Sequence, residues 1–421
     1  MFVSNNRIAA VAAAHRIDPD RWRGAFTGVL DVIESRFARY EPLRHAAGLQ
    51  HLLARASWDA DAVRDDLRGY VATAFGDEQA VLVVDETGDL KKGSQSVGVQ
   101  RQYTGTAGRI ENAQVAVYLT YAAPRGHALI DRALYVPKSW AGDQGRREQA
   151  GMPEEVAFAT KPALAAAMIE RAVQAGTPAA WVAGDEVYGA DPRLRAKVRE
   201  LGLGYVLQVA ANRRVRTHAG PMRVDAIAAL LADDQPWQTY SCGRGAKGHR
   251  DYAWAWAAIL PDPGDADPDG VTGTHHLLIR RTRSSGELAH LRCWTPRPTS
   301  LVQLVRVAGQ RWRIEESFQS AKGLVGLDQH QVRRWTSWHR WTTLAMLAHA
   351  FLAVATATER DHAPTPDGLI ELTVNEFRRL FDAVLSDQRP SAAALLSWSS
   401  WRRRHQYRAQ LSHYRRQDQQ Q

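Results

Sequence analysis

Ala80-Val81-Leu82-Val83-Val84-Asp85 is the stretch on which the fold turns. The apolar run is too short for a helix and rich in valine, the signature of a strand buried on both faces. Its last residue is a carboxylate, placed where an α/β sheet opens its crevice to ligands. Residues 86–110 hold five glycines with Lys91 and Lys92, and are expected to form a loop or irregular hairpin. Strand composition returns at 113–121 and, after the turn Pro124-Arg125-Gly126, at 128–136. These predict three strands as antiparallel neighbours. A helix at 161–175, a strand at 179–183 running toward Asp185, a helix at 191–201 and a strand at 205–209 follow. Three strands, then helix, strand, helix, strand, describe an α/β chain with a mixed sheet.

On the N-terminal side, Phe26, Val29, Leu30, Ile33 and Phe37 recur at helical spacing, Leu49, Leu52 and Leu53 follow, and a further helix is expected over 59–74. Downstream, 210–300 is irregular and tryptophan-bearing. Its strands are expected at 252–260 and 274–281, with an exposed loop at 261–270. Helix dominates 299–356, a linker spans 358–367, and one helix at 374–385 precedes a basic end. Five regions result: a helical 1–76, a first core part at 77–209, a β-rich insertion at 210–300, a second core part at 301–357, and a helical basic region at 358–421.

The chain has 421 residues, 45% of them apolar, with 54 Lys and Arg against 45 Asp and Glu. That composition supports a folded chain, and the net charge of +9 suits a polyanionic partner. Cys242 and Cys293 make neither a disulfide framework nor a zinc spacing, which points to a reducing cytoplasm. The N-terminus lacks a signal-peptide pattern, and no membrane role is expected. The apolar run 344–355, interrupted by His349, falls short of a span and reads as a buried helix. No Walker A pattern follows Asp85, so no nucleotide cofactor is expected.

Asp85 and Asp185 are each open to a plain reading as a cap or turn residue. Glu315, in Arg311-Trp312-Arg313-Ile314-Glu315-Glu316 near the start of a helix, supplies a third carboxylate, with Glu316 as its rival. Three clustered carboxylates repel one another unless divalent cations are bound. Mg²⁺ prefers such oxygens, and two ions about 3.5–4 Å apart stabilise both oxygens of a phosphoryl transfer. Asp131, Asp143 and Asp191 read as loop charges or helix caps, and Glu86 and Glu186 as supporting groups.

Five segments carry a resemblance: Val84-Asp85-Glu86-Thr87-Gly88, 98–109, Trp181-Val182-Ala183-Gly184-Asp185-Glu186-Val187-Tyr188-Gly189, 311–315 and 398–406. In this order they resemble bacterial insertion-sequence transposases of the IS701 type, related to the IS4-like group. The resemblance implies an RNase H-like fold whose insertion corresponds to 210–300. It also implies Asp85, Asp185 and Glu315 as catalytic ligands of two Mg²⁺ ions, with Mn²⁺ as a substitute. Arg311, four residues before Glu315, and Lys322, seven after, match the arginine and lysine of the family's signature and would contact DNA phosphates. Their spacing selects Glu315 over Glu316. The signature's tyrosine is replaced by Ala308. Arg39-Tyr40-Glu41-Pro42-Leu43-Arg44 resembles the family's opening motif, but about 30 residues that relatives carry before Leu49 are missing.

The implied activity is cut-and-paste transposition: metal-dependent cleavage at a transposon end, then transfer of the 3′-OH to target DNA. The implied partners are double-stranded DNA (terminal inverted repeats and target) and a second copy in the synaptic complex, in a bacterial cytoplasm at the nucleoid. The alternatives are a decayed transposase that binds DNA without moving it, and a nonspecific RNase H-like nuclease. Lys91, Lys92 and Arg101 are expected along the DNA path. Lys247, Arg250, Trp254 and Trp256 of the insertion are candidate backbone and base contacts, packing being the default for the tryptophans. Arg402, Arg403 and Arg404 form a basic tail suited to several phosphates.

Overall fold

A computed structural model describes residues 19–36, 51–231, 237–245, 248–262, 273–363, 365–385 and single positions or short runs between 396 and 415. The helices α1 (Pro19–Arg36) and α2 (Ala60–Phe75) lead into the sheet. Asp59 caps α2, its side chain accepting from the amides of Asp61 and Ala62, and Val63, Leu67, Val71 and Phe75 form the buried stripe.

Strands β1 (Val81–Leu90), β2 (Gln100–Thr104), β3 (Arg109–Ala123) and β4 (Gly126–Leu134) come next. Two short helices, α3 (Lys138–Ala141) and α4 (Gln144–Ala150), lead to α5 (Lys161–Gln174). Then follow β5 (Trp181–Gly184), α6 (Glu186–Gly189), α7 (Pro192–Glu200) and β6 (Gly204–Val209). The β-rich region holds the hairpin β7 (Arg214–Thr217) and β8 (Gly220–Arg223), helix α8 (Val224–Leu230), and β9 (Gln238–Gly245), β10 (Gly248–Ala258), β11 (Thr274–Thr282) and β12 (Leu288–Thr295). Helices α9 (Leu301–Gln310), α10 (Trp312–Val325), α11 (Trp335–His362) and α12 (Val374–Leu385) complete the described elements.

β1 pairs antiparallel with β3 and parallel with β5, β5 pairs parallel with β6, and β3 pairs antiparallel with β4. The run β4-β3-β1-β5-β6 is an RNase H-like mixed sheet, flanked by helical N- and C-terminal regions. The insertion adds to it directly: β12 pairs with β6, and the sheet continues through β11 and β10 to β9.

Three expectations change. The first strand runs five residues past Asp85 to Leu90, because β3 pairs with it over its whole length, Val81↔Ala122 through Leu90↔Ala113. β3 itself starts at Arg109, so much of 86–110 is sheet, with β2 paired beside it. The last long helix continues through His362, into the stretch expected as linker. Part of the expected loop at 261–270 and the join at 44–49 lie outside the described residues.

Helix α11 is long and apolar enough to cross a membrane by length and composition alone. Here it is a core helix: Arg340, Thr342, Thr343, His349 and Thr356 are buried along it with Met346, Ala350 and Phe351. The N- and C-terminal helices meet on it. Trp22 donates its indole N–H to Glu359 Oε2 at 2.9 Å, and Phe26 meets the rings of Phe351 and Phe381 edge-on.

Candidate active site

The register of β1 on β5, Val84↔Gly184, brings Asp85 and Asp185 next to each other at the carboxyl ends of two parallel strands. β5 stops at Gly184 and turns into α6, whereas β1 continues. Past Asp85, β1 therefore keeps a partner on only one side, and burial changes from complete over Val81–Val84 to partial at Asp85. That divergence is the crevice. Asp185 also caps α6, accepting from the Val187 amide at 2.9 Å, so its plain reading and its site reading hold together.

Helix α10 delivers the third carboxylate. Ile314, Ser317, Phe318 and Ala321 form its buried face, Phe318 meeting Tyr118 of β3 edge-on at 5.4 Å. At about 100° per residue, Arg311, Glu315 and Lys322 share a stripe about 40° wide, while Glu316 points some 100° or more away from it. The contacts follow that geometry. Arg311 reaches Glu315 Oε1 at 2.9 Å and Asp85 Oδ2 at 3.8 Å, joining helix to strand. Glu316 instead pairs with Arg313 at 2.8 Å and His127 at 3.4 Å.

The electrostatics separate the two glutamates further. Burial, reinforced by the charges of Asp185 and Glu86, pushes the Asp85 carboxyl up to about 8 despite Arg311. Burial and the Glu86 charge also raise Asp185. Glu315 is raised by burial, with Arg311 opposing. For Glu316, burial is overcome by the hydrogen bonds and charges of His127 and Arg313, which hold it at about 2. Glu316 is neutralised by its own neighbours. The other three carboxyls lack sufficient positive charge.

Among the groups around the aspartates, Glu86 and Lys322 were already singled out in the sequence, whereas Lys161 was not. Glu86 Oε1 accepts from Lys161 Nζ at 2.6 Å and its Oε2 from the Tyr188 hydroxyl at 2.7 Å, so β1, α5 and α6 are tied together behind the aspartates. Tyr188 lies inside the segment 181–189, but Lys161 is distinguished only as a helix start. Lys322 donates to Thr87 Oγ1 at 2.8 Å and lies 3.7 Å from Asp89 Oδ1, which places its ammonium beside β1 just beyond Asp85.

The remaining candidates fall in different places. Arg250, on β10, acts on the Glu315 charge across the site. Lys91 is buried, donating to the His330 carbonyl at 2.8 Å, whereas Lys92 and Arg101 are exposed. Trp254 is buried, with its indole N–H 3.3 Å from the Tyr240 carbonyl, and Trp256 stacks on His276 at 4.6 Å, so both are packed within the sheet. Arg403 donates to the Ile370 carbonyl at 2.7 Å and Arg404 is exposed. Lys247 and Arg402 lie outside the described residues. Asp143 and Asp191 cap α4 and α7. Asp131 is neither loop charge nor cap: it is buried in β4, 3.0 Å from Arg171 Nη2.

Among the described residues, no three His, Cys, Asp or Glu side chains stand together as a metal-holding group. Asp85 and Asp185 have the donor chemistry and the unmet need for positive charge that fit a hard divalent cation. Glu315 is on the same side but is held by Arg311, whose guanidinium supplies the positive charge between helix and strand.

Residues 33–230 match the family model described as DDE superfamily endonuclease. The "Probable transposase for insertion sequence element IS701" of Microchaete diplosiphon is 30% identical over 181 residues, 42% of this chain and 44% of that protein. The chain thus matches less than half the length of that curated relative. Among solved structures, the piggyBac transposase synaptic complex with hairpin DNA aligns over 89% of this chain and 77% of its own, at 12% identity and a TM-score of 0.32. The NurA nuclease from Sulfolobus solfataricus aligns over 62% and 86%, at 9% identity and a TM-score of 0.30. Likenesses that remote carry no weight for function.

Proposed function

We propose that the chain is a DDE-superfamily transposase of the insertion-sequence kind, which cuts DNA at transposon ends and joins the freed 3′-OH to target DNA; the family-model match over 33–230 and the likeness to an IS701 transposase support this reading. The observation that carries this reading is the convergence of Asp85 and Asp185 across β1 and β5, with Arg311 linking Asp85 to Glu315 on α10.

In this reading Asp85, Asp185 and Glu315 hold two Mg²⁺ ions, with Mn²⁺ able to replace them and no nucleotide cofactor. When bound, the ions supply stabilisation of the attacking and leaving oxygens. The chain's own groups do the rest. Arg311 exchanges its carboxylate partners for a phosphate of the substrate, which its planar fork binds equally well. That exchange frees Glu315 to turn toward the aspartates. Lys322, steadied by Thr87 and Asp89, offers a second positive charge to the phosphate next along the strand. Lys161 and Tyr188 keep Glu86 fixed, so that its charge stays with the site. The substrates are double-stranded DNA at terminal inverted repeats and target DNA, with two copies of the chain in the synaptic complex.

The test is cleavage of a labelled duplex carrying the sequences that flank the gene, with Mg²⁺ or Mn²⁺, beside unrelated duplexes. Cutting at the flanking ends by the unsubstituted protein, lost in Asp85→Ala, is the expected outcome. Binding without cleavage in either cation points to a decayed transposase, and equal cutting of unrelated duplexes points to a nonspecific nuclease.

A further inference from the structure

The β2–β3 hairpin exposes two large apolar side chains beside the site. Tyr103 is 62% exposed and Ile110 is 58% exposed, and the two are direct cross-strand partners. Arg101 is two residues from Tyr103 on the same strand face, and its cross-strand partner is Asn112. Asn112 donates its amide to the carbonyls of Lys91 and Gly93, which brings the exposed Lys92 segment to the same border. The outer face therefore combines an aromatic ring, an aliphatic side chain and exposed positive charge.

The hairpin is fixed relative to the catalytic carboxylates. On its inner face Thr104 lies against Gly88, three residues beyond Asp85; a Cβ at Gly88 would collide with Thr104 Oγ1. Thr106, at the tip, donates to the Gly88 carbonyl at 2.8 Å and lies 3.3 Å from Thr87 Oγ1, the hydroxyl that also receives Lys322. Lys322 and the hairpin tip thus grip the same two residues of β1. A strand whose phosphate met Lys322 would run next onto the hairpin.

We propose that the outer face of this hairpin receives an unpaired base of the DNA strand, stacking it on Tyr103 with Ile110 as a wedge and Arg101 on the adjoining phosphate. The occupant is taken to be DNA because of the positive charge around the apolar pair and the continuity with Lys322, and this rests on the reading above. Stacking on an aromatic tolerates any base, because every base has a flat π-face. A strand end next to a cleavage site is where bases are most readily unstacked. The buried Trp254 and the packed Trp256 are not available for this in the observed arrangement, whereas Tyr103 is.

The experiment uses the full chain with Ca²⁺ and a 30-bp duplex bearing a five-nucleotide single-stranded 3′ extension. 2-Aminopurine is placed in turn at each position around the junction. The unsubstituted protein is expected to change the fluorescence at one or two junction positions. Tyr103→Ala is expected to abolish that change and weaken binding roughly ten-fold, while Tyr103→Phe retains both. Arg101→Gln is expected to lower the salt dependence of binding by about one ion. Because these side chains are exposed, thermal melting should match the unsubstituted protein. Tyr103→Ala with undiminished affinity and an unchanged signal overturns the proposal. So does a change in oligomeric state at constant DNA affinity, which makes the face a contact between copies. Metal-dependent cleavage of flanking ends that persists in such a case leaves the transposase reading standing, whereas failure of the unsubstituted protein to bind any duplex removes both.

Discussion

Two groups of acids, one around Asp131 on β4 and one around Asp85 on β1, have opposite electrostatics. Asp131 on β4 is met by Arg171 at 3.0 Å, Arg64 at 3.7 Å and Arg132 at 4.0 Å, while Arg132 also reaches Asp61 at 2.8 Å. Where β5 ends beside β1, Asp85 and Glu315 share the guanidinium of Arg311, with Arg250 acting on Glu315 from farther away, and Asp185 feels Arg311 without an ion pair to it among the described residues. The first group is neutralised by its own chain and ties α2, β4 and α5 together. The second is left short of positive charge, a destabilising arrangement that makes sense where function supplies the missing cation. A carboxylate count alone would not distinguish them; the number of arginines within reach does.

The largest expected contrast is in activity. Asp85→Asn should lower metal-dependent cleavage by about 10³-fold or more, given the several kcal/mol that a bound metal supplies to such a transition state. The same substitution should leave the melting temperature equal or higher, because it removes a like charge. A marked loss of stability would mean that the site acids are structural after all. Conversely, Asp131→Ala should cost about 3–5 kcal/mol in denaturant unfolding, since it removes the buried carboxylate that Arg64, Arg132 and Arg171 share. Specific cleavage per folded molecule should remain near that of the parent at a permissive temperature.

The pH dependence should run in opposite directions. Asp85 titrates in the folded chain at about 8 against an ordinary 3.8, so between these values the folded state holds more protons than the unfolded one. Stability of the metal-free protein should therefore fall as pH rises from about 4 to about 8, and Asp85→Asn should flatten that slope. Asp61 is held below its ordinary value: against burial, the charge and hydrogen bond of Arg132 favour its ionised form. Its stabilisation is present above 3.8 and is lost as pH falls through the folded value. Mg²⁺ should accordingly raise the melting temperature more at pH 8 than at pH 5. An equal Mg²⁺ effect at both, or one that survives Asp85→Asn, argues against cation binding at these acids.

The smallest expected effect separates neighbours. Glu315→Gln should abolish cleavage, whereas Glu316→Gln should change it by no more than a few-fold while weakening the contacts to Arg313 and His127. The reverse result would exchange their roles.

Much of this was legible beforehand, for identifiable reasons. The run Val81–Val84 reads as a buried strand because apolar, β-branched residues have few other places to go, and Asp85 is conspicuous at its end. The preference for Glu315 over Glu316 rested on the resemblance, through the family's spacing to Arg311 and Lys322, and those intervals return to one side of α10 whereas the next residue does not. The continuation of β1 to Leu90 was missed because Glu86–Leu90 is polar and glycine-bearing, and its pairing depends on β3, more than twenty residues away in the chain. The pairing of β6 with β12 was equally hidden, since 78 residues separate the end of β6 at Val209 from the start of β12 at Leu288.

Local sequence determined the buried strand Val81–Val84, the helices Lys161–Gln174 and Pro192–Glu200, the caps at Asp143 and Asp191 and the helical stripe of Arg311, Glu315 and Lys322, because each depends on periodicity or hydrogen bonds within a few residues. Only the tertiary structure decided which acids remain short of positive charge. Arg64, Arg132 and Arg171 reach Asp131 from α2, β4 and α5, and Lys161 and Tyr188 reach Glu86 from α5 and α6. Charge balance falls off with distance in space, and a chain's order does not record that distance.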